Sequence, residues 1–219
     1  MTWLAIVAAI ALFLSPLAAG LPDSPSINAM LVDLVAQTQV PNLVSGVILK
    51  TRLVDTVGEV VVFTLASIGM RLVLARESIR RRIQGLDDAP SVVLCQLGAT
   101  IAALIAVELA LRGHLSPGGG FAAGVAGGTA IGLLLISGSA EHSDRLYRRY
   151  RADLWEKAAV VAFVTLAFLA LEGLVPPAGV FATLGSGGWI PLLNTLVAIK
   201  VTLGSWAMVQ LFVRHRGLL

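Results

Sequence analysis

Six stretches of this sequence are long enough and apolar enough to cross a membrane, and nothing else in the chain constrains its fold so strongly. Residues 2–19, 53–75, 92–111, 121–137, 158–174 and 189–213 are dominated by Leu, Val, Ile, Ala, Gly and Phe, and a membrane-spanning helix needs roughly 20 such residues. Inside a bilayer every backbone N–H and C=O must be paired within the protein, which helices achieve residue by residue. The expected fold is therefore an all-α, polytopic membrane protein of about six helices. Composition agrees. Of 219 residues, 57% are hydrophobic and 13% charged, against roughly 25% charged in a soluble domain. A soluble core of this length could not absorb so much apolar surface. The second window is the least regular, because it contains Asp55, Glu59 and Arg71. Connections are short except for residues 20–52, so there is no room for a separate soluble domain.

Charge placement sets the orientation. Arg71, Arg76, Arg80, Arg81 and Arg82 follow the second window; Arg145, Arg148, Arg149, Arg151 and Lys157 lie between the fourth and fifth; Arg214 and Arg216 follow the sixth. Six spans put these twelve on one side, against Lys50, Arg52 and Arg112 on the other, and positive residues gather on the cytoplasmic side. Both termini are expected in the cytoplasm. The net charge of +3 does not indicate a nucleic-acid partner: Glu141, Asp144, Asp153 and Glu156 interleave with the arginines and would repel phosphate. The sequence Ser15-Pro16-Leu17-Ala18-Ala19 resembles a signal-peptide cleavage region, but Met1 to Leu4 carry no basic residue, which favours a retained first helix. Beyond it, Ile27, Met30, Leu31, Leu34 and Val35 repeat at helical spacing, interrupted by Asn28, Asp33 and Gln37. That pattern suggests a short helix lying at the outer interface.

The third and fourth windows are joined by Gly-His-Leu-Ser-Pro-Gly-Gly-Gly-Phe, residues 113–121. Pro117 excludes a helix interior and Gly118 to Gly120 tolerate almost any backbone angle, so a tight non-helical turn is expected. No strand precedes it and no Lys-Ser or Lys-Thr follows, so it does not read as a phosphate-cradling loop. From there Gly120, Gly124, Gly128 and Gly132 recur every fourth residue. Such a stripe lets a second helix approach closely in lipid. The fourth span should therefore be tightly packed, and His114 should satisfy backbone groups in the turn.

Ionisable side chains within hydrocarbon cost at least roughly 2.5–3.5 kcal/mol each. Lys200 lies near the middle of its window. Asp55 and Glu59 share one face of the second span, and only 11 uncharged residues, 60–70, separate Glu59 from Arg71. That is about 16 Å of helix against roughly 30 Å of hydrocarbon, so charge must enter the membrane. Glu108 is one turn before Arg112 and can pair with it. Lys200 is expected to meet Glu59 or Glu108, either simply to hold the bundle together or to form a hydrated path or proton relay. The lone Cys95 and the scattered His114, His142 and His215 offer neither a disulfide nor a metal site. No catalytic triad or nucleotide-binding pattern appears, so neither an enzyme activity nor a cofactor is expected of this chain.

The turn at residues 113–121, Pro191-Leu192-Leu193-Asn194, Ile199-Lys200-Val201 and Gly204 resemble the B subunit of the multisubunit Mrp-type sodium/proton antiporters. Pro41-Asn42-Leu43-Val44, Val47-Ile48-Leu49, Arg52 and Asp55-Thr56-Val57-Gly58-Glu59 resemble the E subunit of membrane-bound hydrogenases, a module that also closes the large A subunit of Mrp antiporters. Lys50 stands where that second pattern usually has an acid. The resemblance implies two fused membrane modules, residues 1–90 and 91–219. It implies a non-catalytic subunit that works with other hydrophobic subunits in the bilayer of a prokaryotic cell membrane, in an assembly exchanging Na+ for H+. Asp55 and Glu59 carry over as candidate ion-path groups, with Lys200 as the buried cation and Glu108 as a further candidate. The alternative is the same module within a redox-driven complex, a membrane-bound hydrogenase or a relative of complex I.

Overall fold

A computed structural model of the chain describes residues 27–74, 76–77, 86 and 88–216, without the side chains of 139–142 and 216. The first apolar window, its small-residue sequence at 15–19 and Arg80 to Arg82 lie outside the described residues. The chain forms two compact units, Met1–Asp33 and Leu34–Leu219, and the contacts described below lie within the second. Its helices are α1 (Ile27–Thr38), α2 (Leu43–Gly46), α3 (Leu53–Leu74), α4 (Ala89–Arg112), α5 (Gly120–Leu134), α6 (Ala140–Arg149), α7 (Ala152–Leu171) and α8 (Ile190–Arg216). A π-helical stretch, Val47–Thr51, joins α2 to α3, and a second, Leu135–Ser139, follows α5. Among the described residues there is no strand, and five helices are long and apolar enough to cross a membrane: α3, α4, α5 extended to Gly138, α7 and α8. The protein is an all-α, multi-pass membrane protein.

Local chemistry sets the helix ends. Asp88 caps α4 by accepting a hydrogen bond from the Ser91 N–H at 3.0 Å, which satisfies one of the free donors of a first turn; the Ser91 hydroxyl, and then its N–H, hold the Asp88 carboxyl below its ordinary range. At the other end of α4, Gly118 and Gly119 turn the chain at φ of 155° and 142°, where a side chain would be strained, and α5 begins at once. Gly138, at φ 81°, breaks α5 from α6.

The spans alternate in direction. At one end, the Asn42 side chain donates to the carbonyls of Gly113 and Ser116 at 2.7 and 2.8 Å, and Asn194 donates to those of Leu109 and Ala110 at 3.2 and 2.7 Å. The loop between α7 and α8 joins the same knot through Ala182 N–H to the Gln39 carbonyl. At the opposite end Asp144 of α6 accepts from Gln210 and Arg214 of α8, both at 2.6 Å. Trp206 donates to Ser143 and meets Tyr147 edge-on. Arg71, Arg148 and Arg214 gather at this end, whereas Arg52 and Arg112 belong to the glycine-turn end, so the charge separation expected from sequence is present in the fold.

Helix α8 is the most enclosed span and α4 the least. The seam between α5 and α8 is made by glycine. A Cβ added at Gly120 would meet the Asn194 carbonyl and Val197; at Gly124, Val201; at Gly127, Thr202; at Gly128, Ser205. Small residues here bring the backbones within reach of each other. Gly132 departs from the expected stripe, with nothing within 4 Å of where its Cβ would be. It lies near the break at Ser137–Gly138, where the helix path changes. One apolar cluster, including Leu53, Val60, Phe163, Leu193, Val197 and Val201, fills the space between α3, α7 and α8.

Candidate functional site

Lys200 stands on α8 with only 1% of its surface exposed. Its ammonium donates to one carboxylate oxygen of Glu156 at 2.5 Å. The other oxygen of Glu156 is 3.7 Å from the Arg71 guanidinium, so one carboxylate faces two cations. The Phe63 ring lies beside the ammonium, 5.2 Å from ring centre to Nζ, close enough for a cation–π attraction. Gly204, one turn along α8, leaves the room: a Cβ there would approach Phe63 to 2.6 Å and Glu156 to 3.2 Å.

The carboxylate partner is not the one expected. Sequence reasoning pairs Lys200 with Glu59 or Glu108, but the structure supplies Glu156, which the fifth apolar window excludes by starting at residue 158. Helix α7 starts six residues earlier, at Ala152. Lys157 turns outward to pair with Asp153 at 3.7 Å, while Glu156 turns inward. A signal for this does exist in the sequence: Ala152, Glu156, Ala159, Phe163 and Ala167, all buried, fall at the four- and three-residue steps of a single helix face.

The other candidates separate. Asp55 is exposed and pairs with Arg52 at 2.5 Å. Glu108 and Arg112 pair at 2.8 Å on the open side of α4, each about half exposed. His114 is fully buried; its Nε2 lies 3.3 Å from the Thr183 carbonyl, tying the glycine turn to the α7–α8 loop, and burial pushes its pKa below the ordinary value. Pro117 and Gly118 to Gly120 form the turn itself.

Glu59 differs from all of these, having no hydrogen bond or ion pair among the described residues. It lines a cavity shared with Ser45, Thr56, the turn at Gly118 to Gly120, Asn194 and Val197. Two further oxygens in that lining, Ser45 Oγ and Asn194 Oδ1, are buried without a hydrogen-bond partner. Polar atoms buried in this way are costly; the Glu59 carboxylate beside them is exposed.

A second cavity opens at the arginine-bearing end, lined by Arg71, Asp144, Tyr147, Asp153, Gln210 and Arg214. Burial raises the Tyr147 phenol above its ordinary range, so at neutral pH it stays protonated and able to donate. Arg71 therefore touches both this cavity and the buried Glu156.

The chain resembles known proteins in fold and in sequence. It superposes on a chain of the membrane-bound sulfane sulfur reductase, an archaeal respiratory membrane complex, over 97% of its own length and 97% of the other, with a TM-score of 0.69 and 22% identity. It superposes on a chain of the Mrp complex from Dietzia sp. DQ12-45-1b over 98% of its length, with a TM-score of 0.63 and 21% identity, covering 26% of that longer chain. At these identities the likeness establishes the fold. No curated protein sequence matches the chain. Residues 90–207 match the family described as a domain related to the MnhB subunit of the Na+/H+ antiporter.

Proposed function

The chain belongs to the family of domains related to the MnhB subunit of the Na+/H+ antiporter, and on that basis we propose that it is a membrane subunit of a multisubunit sodium/proton antiporter complex that contributes both to assembly and to the ion path. Residues 91–219 form the MnhB-like module, and residues 1–90 a fused module like the hydrogenase E subunit. The superposition of nearly the whole chain on one stretch of a longer Mrp-complex chain supports such a side-by-side arrangement. The complex resides in a prokaryotic cytoplasmic membrane, with the arginine-bearing end of the bundle and both termini facing the cytoplasm.

The observation that carries this reading is Glu59. It is a carboxylate on a membrane-spanning helix, without a partner among the described residues, facing a cavity with two more unsatisfied oxygens. Glu59 is exposed on the bundle, two turns from the start of α3, and a charged group on a membrane-spanning helix is costly unless it meets water or a partner there. A site that exchanges protons or cations needs such a group. Asp55, salt-bridged beside the same helix start, accompanies it on the outer approach, and Lys200 is the fixed cation further in. Glu108, already neutralised by Arg112, is the least involved.

Purification in mild detergent tests the assembly. Antiporter-type hydrophobic subunits are expected to copurify; iron–sulfur or nickel proteins in their place would assign the chain to a redox-driven complex. Glu59→Gln in the assembled complex should abolish sodium-dependent proton movement in vesicles. Unchanged transport would reduce the chain to a scaffold.

A further inference from the structure

The cavity at the arginine-bearing end has one charged wall and one apolar wall. Arg71 from the last turn of α3, Tyr147 and Arg148 from α6, and Ala207, Leu211 and Arg214 from α8 all line it. Each guanidinium carries several N–H donors, and the acceptors within reach are few. Both oxygens of Asp144 are taken, one by Gln210 and the other by Arg148 at 3.2 Å and Arg214 at 2.6 Å. Asp153 pairs with Lys157. Arg71 approaches Glu156 only to 3.7 Å, beyond hydrogen-bond range, and that carboxylate already accepts from the Lys200 ammonium. The lining therefore keeps a surplus of N–H donors and of positive charge. The apolar wall belongs to α8. Ala207, Leu211 and Arg214 fall at the four- and three-residue steps of one helix face, and the step from Arg214 back to Ala207 is about 10 Å of rise. Leu72 and Phe212, each next in sequence to a lining residue, are exposed, so both flanking helices continue into lipid-facing surface.

We propose that this cavity binds one anionic phospholipid, its phosphate held by Arg71, Arg148 and Arg214 and its glycerol end resting on Ala207 and Leu211. A guanidinium fork matches two phosphate oxygens at once, and basic pockets between membrane spans take anionic headgroups in this way. The apolar wall selects the lipid over a free phosphate ion. Inorganic phosphate would satisfy the arginines and leave Ala207 and Leu211 facing water, whereas a lipid covers both walls. Tyr147 adds a hydroxyl to the charged side. Bound there, the lipid joins α3 to α6 and α8 at the membrane surface, where Asp144 is the carboxylate that already ties α6 to α8.

This inference stands apart from the ion-path reading above, and its test requires no transport. The full chain is extracted in mild detergent, stripped of lipid and titrated with dioleoylphosphatidylglycerol or dioleoylphosphatidylcholine. Native mass spectrometry then counts the lipids retained. One phosphatidylglycerol should stay bound per chain, about tenfold more tightly than phosphatidylcholine, and Arg71→Gln or Arg148→Gln should each weaken it about tenfold, the worth of one charge-assisted hydrogen bond. Lys50→Gln removes an exposed positive charge at the glycine-turn end and should leave retention unchanged. If Arg71→Gln does not fold, Arg71→Lys, which keeps the charge and loses the fork, should give a smaller loss. Equal retention of the two lipids, undiminished affinity in the arginine variants, or equal weakening by Lys50→Gln would each overturn the proposal. Displacement of phosphatidylglycerol by millimolar inorganic phosphate would show that the cavity takes the free anion, and would reject the lipid as its occupant.

Discussion

Helix α8 is held on two sides by opposite means. Toward α5 it meets glycine after glycine, and backbones touch through Val201, Thr202 and Ser205. Toward α3 and α7 it presents a lysine that is neutralised by one carboxylate, shadowed by one aromatic ring and linked to an arginine. The first interface draws its stability from close contact, because lipid offers no hydrophobic drive between helices. It has no charge to gain or lose. The second contains two cations and one anion, so its strength depends on which groups are ionised, and it is the one joined to water by Arg71. A helix built this way is anchored on the first side and left responsive on the second.

The contrast is most exposed to test at the glycine seam. Gly124→Val places branched carbon where Val201 already sits, and overpacking of that kind costs typically 1–3 kcal/mol and at times more. We expect the largest effect of any single change here, loss of monodisperse protein after detergent extraction. Gly132→Ala is the matched control and should shift thermal stability by no more than about 0.5 kcal/mol. Equal damage from both would mean that the seam does not follow the contacts of Gly120, Gly124, Gly127 and Gly128.

On the charged side, Glu156→Gln leaves Lys200 buried and unpaired, and breaking a buried pair in this way costs about 3–5 kcal/mol. Replacing both partners, Lys200→Met with Glu156→Leu, should restore melting close to that of the native protein, because an apolar pair of similar size desolvates no charge. A double variant as unstable as the single one would contradict an ionic interface. Gly204→Ala should have a smaller effect, roughly 1 kcal/mol, since the end of a ring can shift; its melting transition should fall slightly while Gly132→Ala does not.

The smallest effect separates the two ends by pH. His114 is buried at the glycine-turn end and its folded pKa lies below the unfolded value of 6.5. Between those two values the unfolded chain binds the proton more readily, so stability is complete above about pH 6.5 and declines as pH falls through the folded pKa. Melting temperature measured against pH should show this decline, and His114→Asn should flatten it. An unchanged pH profile in that variant would assign the acid sensitivity to other groups.

Much of this architecture is legible in the amino-acid sequence. The spans after residue 52 are readable because hydropathy is a local property, and the turn at residues 113–121 because Pro117 and three glycines leave few alternatives. Glu108 with Arg112 is readable because their spacing alone brings them together on a helix. Glu156 is harder to find, although its register with Phe163 and Ala167 is written in the chain. Windows that score apolar content end where charges begin, and the carboxylate that reaches Lys200 comes from the charged turn such windows discard. That Glu59 has no partner among the described residues is equally hidden, since it depends on every neighbouring helix at once.

Chemistry along single helices is enough to dictate that this chain is a bundle of membrane spans, which of its ends carries the arginines, where it turns tightly, and that Lys200 must be sheltered. Each of these follows from the cost of exposing polar groups to hydrocarbon, a cost that one helix meets or fails to meet alone. The packed bundle adds what no single helix contains: the shelter comes from a residue 44 positions away, the glycine stripe stops engaging α8 before Gly132, and Phe63 comes to lie beside the Lys200 ammonium. Those outcomes depend on how helices cross and rotate against one another, and that is fixed by the packing of all their side chains together.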